Sequence, residues 1–437
     1  MHFFSEIASF RYRLLETHMR PISDWLFFSH TFFSLSKKSF FFKQNTHLKL
    51  SEKLSSTQVT TQLSTHQIDQ QKTHYSFRSL INHSIVKKPT FVVGVITAGL
   101  ALQGFSQATQ LDQVVENHKL RVVSVAGDTT FFKSDRFLHG FGYEMSREFA
   151  RDLNVNFEFK QVANNAIALD LVKQGKADIA LTTVSDTQLA AKSLASVNLS
   201  CGNTKTLTNE GLNSAVSWAF RDGTDPLMSS GHGFVCDQRQ LGSTKQLASF
   251  YNRNLMNDQV EKTAFNRAID NRLPILRASF ELNAKKRNLD WQLLAAVSYQ
   301  ESHLVSTAIS PTGVSGLMML TQGTAKEMGI RNRNDPAQSI QGGAQYLSLM
   351  MDKYSSIPNP DRIWFSLAAY NMGGGNVDRV RRAVKKMGKN PDNWAYTYQY
   401  LSTHAKSNSQ YGQCLHYVTR IRGYLEAIKQ SQKTTQV

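Results

Sequence analysis

The sequence is short of cysteine. Its 437 residues contain three, Cys201, Cys236 and Cys414, too few and too widely spaced for a disulfide scaffold or a thiolate metal cluster, and no CxxC occurs. If the chain is exported, Cys201 and Cys236 could pair while Cys414 stays as a small buried apolar group; three unpaired core cysteines is the equal alternative. Zinc-finger spacing, a glycine-rich phosphate loop and a basic helix backed by heptads are all missing. Acidic residues are outnumbered, 33 Asp and Glu against 50 Lys and Arg, for a formal charge of +17 and a pI near 9.7. That balance favours a polyanionic neighbourhood, whether nucleic acid, an anionic membrane surface or a wall polymer. The nucleic-acid reading rests on charge alone, and no nucleic-acid partner is expected.

Also absent is an apolar run of the roughly 20 residues that cross a bilayer comfortably. The candidate is the shorter stretch 91–102, preceded by Lys87 and Lys88 and followed by Ser106 and Ala108, small residues at the positions a signal peptidase reads. Its length favours a cleaved secretory signal over a permanent anchor, and no cysteine at the cleavage point suggests a lipoprotein. The signal sits late in the chain. Residues 1–85, with a Phe40 to Phe42 burst and a polar Ser/Thr/Gln/His stretch, hold no lasting periodicity and read as an unstructured extension, so the natural product is expected to start near residues 76–86. Residues 86–108 form the signal or short membrane segment.

With 437 residues, two domains are the starting expectation. From 109 to 257 strand and helix patterns alternate: strands over 119–125, 155–159 and 178–182, helices over 143–153 and 166–174, the latter closing at Gly175. This predicts an α/β layer with a largely parallel sheet. The stretch resembles the first lobe of type II periplasmic solute-binding proteins, through Gly140-Phe-Gly-Tyr-Glu144 and Gly175-Lys-Ala-Asp-Ile179. Residues 217–221 read as that lobe's returning strand, and the remainder up to 257 as loop plus a closing helix over 245–254. A full second lobe does not fit.

Residues 263–430 read as mainly α, with helices over 264–287, 291–304, 323–328, 340–354 and 363–370. Asp290 is placed to cap the second of these. On it Leu294, Val297, Ser298 and Glu301 share one stripe, so Glu301 sits with core-facing residues. A carboxyl there loses hydration, and its pKa rises towards the range where it donates a proton at neutral pH. Two glycine-punctuated segments accompany it: Ser310 to Thr321, entering a helix, and Ala368 to Gly375, leaving one.

In order and spacing, Tyr299-Gln-Glu301-Ser302-His303, Gly313 through Thr321, and Ala369-Tyr370-Asn371-Met-Gly373 resemble the family 1 lytic transglycosylases, which have a goose-lysozyme-like fold. The F-type branch of that family also carries a solute-binding-like domain in front. The resemblance implies Glu301 as catalytic acid/base, with Ser302 holding the leaving part of the glycan or orienting that carboxylate. It implies that Gly316, Leu317 and Met318 line the glycan groove, that Tyr370 and Asn371 lie beside Glu301, and that Tyr417 on the last helix approaches it. Met319 stands where many relatives have glutamine, which removes one groove hydrogen bond. His303 reads as a surface residue and not a metal ligand. Tyr299, Trp291 and Trp364 read as core and groove-wall aromatics.

The reaction so implied cuts peptidoglycan between N-acetylmuramic acid and N-acetylglucosamine without water, leaving 1,6-anhydro ends, and needs no cofactor or metal. Hydrolytic glycosidases commonly use a second carboxylate; none stands within these motifs, although Asp335 or Asp352 could fold into the cleft. Two alternatives stay open: a hydrolytic muramidase on the same scaffold, and a non-catalytic wall-binding or sensing protein. The implied setting is the periplasm, with peptidoglycan strands as substrate, peripheral outer-membrane association, and a muropeptide or amino-acid effector at the N-terminal domain.

Overall fold

The computed structural model describes residues 108–134 and 136–434. The extension expected over 1–85 and the signal segment expected over 86–108 lie outside the described residues, apart from Ala108. No helix among the described residues is long and apolar enough to cross a membrane.

Helix α1 (Gln110–Glu116) leads into strand β1 (Lys119–Ser124), a short hairpin of β2 (Phe132–Lys133) and β3 (Leu138–His139), and helix α2 (Phe141–Asp152). Then follow β4 (Asn156–Gln161), α3 (Asn165–Lys173), β5 (Ile179–Thr182), α4 (Asp186–Ala190), β6 (Ala195–Asn198), α5 (Lys205–Thr208), β7 (Ser217–Phe220), α6 (Pro226–Gln240) and α7 (Ser243–Phe250). Five strands make one sheet in the order β4-β1-β5-β7-β6. β1 pairs in parallel with β4 and β5, while β7 runs antiparallel to both β5 and β6. The sheet is thus parallel except for β7, the returning strand. β5 and β7 are buried along their whole length, as strands covered on both faces must be.

The segment between β5 and α7 is more ordered than the sequence predicts. It contains β6 and the 15-residue α6, which Asp225 caps by accepting from the Leu227 amide with Pro226 in the first turn. Asp-Pro was the available start signal. Gly231 obscures it, and the structure gives that glycine a packing reason: a Cβ there would lie 3.2 Å from the Phe220 ring. Cys201 and Cys236 form a disulfide that ties α6 to the loop before α5, and Cys414 is free and buried.

The remaining elements are helices: α8 (Gln259–Asn271), α9 (Leu273–Arg287), α10 (Trp291–Ser302), α11 (Gln322–Glu327), α12 (Pro336–Lys353), α13 (Asp361–Met372), α14 (Gly374–Lys386), α15 (Trp394–His404) and α16 (Ser409–Thr434). The single helix expected over 264–287 is two, broken at Arg272, because Pro274 lacks the amide to continue the ladder and suits a new first turn. α10 carries more than an apolar stripe. Residues 292–299 along it are all buried, and a helix apolar all round is an interior helix.

The strand-bearing region and the helices share one apolar cluster, running from Val114 to Ile428. Trp364 of α13 is 1% exposed and meets Phe137, His139 and Phe250 at centroid distances of 6.1, 5.6 and 5.3 Å. Beside it a buried charge cluster crosses the same boundary. Asp361, the first residue of α13, takes Arg147 of α2 at 2.6 Å and Arg151 at 3.4 Å, and accepts from the Trp394 amide at 3.0 Å. Glu144 pairs with Arg147 as well; burial first, opposed by Arg147, pushes its carboxyl up to about 7. Removing one member of a buried ion pair strands the other's charge. Asp361→Ala should therefore cost about 3 to 5 kcal/mol in urea unfolding at pH 7, and Asp361→Leu combined with Arg147→Met clearly less. A single variant as stable as the parent would remove this cluster from the energetics.

Candidate active site

Glu301 occupies the last turn of α10. The helix starts where Asp290 accepts from the Gln292 amide at 2.9 Å and pairs with Lys429 at 3.0 Å, and it stops at His303 and Leu304, both with positive φ (52° and 62°). The chain therefore leaves the helix sharply just after the carboxylate. α16 packs along α10, and its Tyr417 donates its hydroxyl to Glu301 Oε1 at 2.6 Å.

Glu301 keeps some accessible surface, yet its surroundings are those of an interior. Burial raises its carboxyl from the usual 4.5 to about 7, with the Tyr417 hydrogen bond opposing the shift. A group with that proton affinity both donates and accepts a proton near neutrality. Burial, with the nearby Glu301 charge next, raises the Tyr370 and Tyr417 phenols well above their ordinary value, so both remain hydrogen donors.

The loop after α10 is built from its backbone. Gly316 has φ +84°, and a Cβ there would come within 1.8 Å of the Arg333 carbonyl oxygen. Ser302 is 1% exposed; its hydroxyl donates to the carbonyls of Ser298 (3.1 Å) and Leu317 (2.9 Å), and Ser298 donates to the same Leu317 oxygen at 3.1 Å. Met318 donates its amide to Ser339 Oγ at 3.2 Å, and its carbonyl accepts from the Tyr370 hydroxyl at 2.9 Å. Two serines of α10 and one tyrosine of α13 thus pin the loop against the helix that carries Glu301.

This changes how several expected residues can act. Leu317 and Met318 have side chains with no exposure, so neither side chain faces a groove. The Ser302 hydroxyl is used up on backbone, not turned to Glu301 or to a ligand. Met319 is half-buried with φ +44°, and Asn371 is exposed just beyond Tyr370. Asp335 caps α12 through the Gln338 amide, and Asp352 lines a different cavity; burial raises the proton affinity of Glu301 and Tyr417 lowers it. His303 is exposed and stacks on Tyr299 at 4.9 Å, Trp291 is half-buried under Arg277, and Tyr299 and Trp364 are core residues. Missed by sequence reasoning were Ser298 and Ser339 as loop anchors and the Gly342-Gly343 pair of α12. A Cβ on Gly343 would sit 2.5 Å from the Met318 side chain; the glycine pair inside a helix was the available signal.

Residues 278–393 match the family model described as Transglycosylase SLT domain. The matched span is similar to an SLT domain. It contains Glu301, the loop and Tyr370, while Tyr417 comes from α16 beyond it. The membrane-bound lytic murein transglycosylase F of Shewanella loihica is 42% identical over 226 residues, covering 49% of this chain and 47% of that protein. Its namesake from Aeromonas salmonicida is 29% identical over 422 residues, covering 74% and 85%. The chain thus spans about half the length of the first of these relatives. Superposition on a lytic transglycosylase Slt inactive mutant from Pseudomonas aeruginosa gives a TM-score of 0.31 at 18% identity, covering 61% of this chain and 41% of that one; this is too distant to bear on the fold.

The raised Glu301 pKa has a consequence for stability. The folded state holds a proton on Glu301 up to about pH 7, whereas the unfolded chain releases it near 4.5, so this residue makes stability fall as pH rises between those values. Glu301→Gln removes the penalty. Its melting temperature should exceed the parent's at pH 8 and equal it at pH 4; equal melting at both would mean an unperturbed carboxyl.

Proposed function

We propose that the chain is a peptidoglycan lytic transglycosylase with Glu301 as its single acid/base. The observation that carries this reading is a carboxyl raised to about 7 in a span similar to an SLT domain, hydrogen-bonded to Tyr417. Protonated Glu301 gives its proton to the oxygen between N-acetylmuramic acid and N-acetylglucosamine as the C1–O bond breaks. The resulting carboxylate takes the proton of the muramic C6 hydroxyl while that oxygen bonds to C1, so the ring closes as a 1,6-anhydro end and no water is consumed. Tyr417 steadies the carboxylate through both transfers. Tyr370 fixes the Met318 carbonyl, and Met319 and Asn371 offer side chains to the glycan. Ser302 acts through its hydroxyl, which holds the loop, and Gly316, Leu317 and Met318 act through the loop backbone.

Residues 263–430 form the catalytic domain in this reading, and 109–257 a solute-binding-like module that positions or regulates it. The enzyme works in the cell envelope outside the cytoplasm, where the Cys201–Cys236 disulfide would persist. Its positive charge favours peripheral association with the outer membrane.

Digestion of purified peptidoglycan by the parent and by Glu301→Gln, followed by mass spectrometry of the soluble products, tests the proposal. Anhydro-ended fragments from the parent alone are expected. Reducing ends, about 18 mass units heavier by one added water, would instead indicate a hydrolase with a second carboxylate, and no release by either protein would leave a binding module.

A further inference from the structure

Away from Glu301 lies a cavity of about 390 Å³ where the β2–β3 loop meets α9, α12 and α13. Its size is that of a small-molecule site. Arg136, Arg287 and Arg362 all line it, together with Asp352 and Ser348. The three guanidinium groups bond only neutral oxygens: Arg136 the Asn288 side chain, Arg287 the Gln345 side chain at 3.1 Å, and Arg362 the carbonyls of Ile357 and Ser355 at 2.7 and 2.6 Å. Among the described residues none has a carboxylate partner. The second acid on the wall, Asp290, is already matched by Lys429 at 3.0 Å. Three unmatched cations around one concavity make a receptor for a carboxylate or phosphate.

Asp352 narrows the choice, because it would repel a compact dianion and attract an ammonium. Gln345, which holds Arg287, and Asp352 lie seven residues apart on α12, about 10 Å along a helix. An extended chain covers that distance in about three residues. We propose that this cavity binds a short peptide with both ends free, its carboxylate on Arg136 and Arg287 and its ammonium on Asp352. The ligand would also touch Asp290 and Leu293, at the end of α10 opposite Glu301.

Calorimetric titration of the full chain with trialanine, N-acetyl-trialanine, alanine, sodium acetate and sodium phosphate tests this, and reads binding whether or not Glu301 cuts glycan. Trialanine should bind at one saturable site. Arg136→Gln should weaken it roughly tenfold, the loss expected of one charge-assisted hydrogen bond. Asp352→Asn should weaken trialanine to a similar degree yet leave N-acetyl-trialanine unchanged or tighter. Both replaced side chains are exposed, and an unchanged melting temperature checks that each variant is folded. The proposal is overturned if trialanine shows no saturable binding up to about 10 mM, the weak end of measurable affinity. It is also overturned if phosphate displaces the peptide and binds more tightly, or if Asp352→Asn leaves trialanine affinity as it was.

Discussion

Glu301 and Tyr417 meet where α10 lies along α16, and their 2.6 Å hydrogen bond joins two helices that Lys429 also ties together at the other end, through Asp290 and Gln292. Opposite effects act on one carboxyl. Burial favours its neutral form, the phenol favours its charged form, and the balance leaves it near 7. Were burial alone at work, the proton would be held too tightly to be given up; were the site open, it would already be lost at neutral pH. The proposed reaction needs the group to give a proton and take one back, and this balance meets that need. The loop that completes the site depends on the same helix, since Ser298 and Ser302 of α10 both hold the Leu317 carbonyl.

The strand-bearing region is tied into this arrangement through α13. At its start Asp361 is locked to Arg147 of α2 and to the Trp394 amide; in its middle Trp364 packs on Phe137, His139 and Phe250; near its end Tyr370 holds the Met318 carbonyl. One rigid helix therefore spans from the boundary between the two regions to the candidate site. A displacement of α2 relative to α13 would have to break buried ion pairs, so the N-terminal region serves as a fixed support for the helical half in this structure.

Much of this was legible in the sequence, and the misses have physical causes. Asp290 as a helix cap, the stripe carrying Glu301, and the strands now numbered β1, β4, β5 and β7 could all be read, because each is signalled by local chemistry or a period of 2 or 3.6 residues. The β2–β3 hairpin has two residues per strand, too short for a period to register, and β6 has a single buried position, Val197, where β5 and β7 of the same length are buried throughout. α6 was hidden by Gly231 and Gly233. The groove residues taken from family resemblance came out partly as backbone. A motif fixes which residues recur in order, whereas at Leu317 and Met318 the side chains fill the core and the carbonyls anchor the loop. The long-range pairs, Tyr417 with Glu301 and Arg147 with Asp361, have no local signal at all; only the first was reachable, and by resemblance.

The account turns on the proton affinity of one side chain, which can be measured directly. With ¹³C-labelled glutamate, the Glu301 carboxyl resonance is identified by its loss in Glu301→Gln and followed by NMR from pH 4 to 9, in the parent and in Tyr417→Phe. A midpoint near 7 in the parent, moving higher when the phenol no longer favours the charged form, is the predicted result. A midpoint near 4.5 in the parent, the ordinary value for glutamate, would contradict the account, whatever else the chain proved able to do.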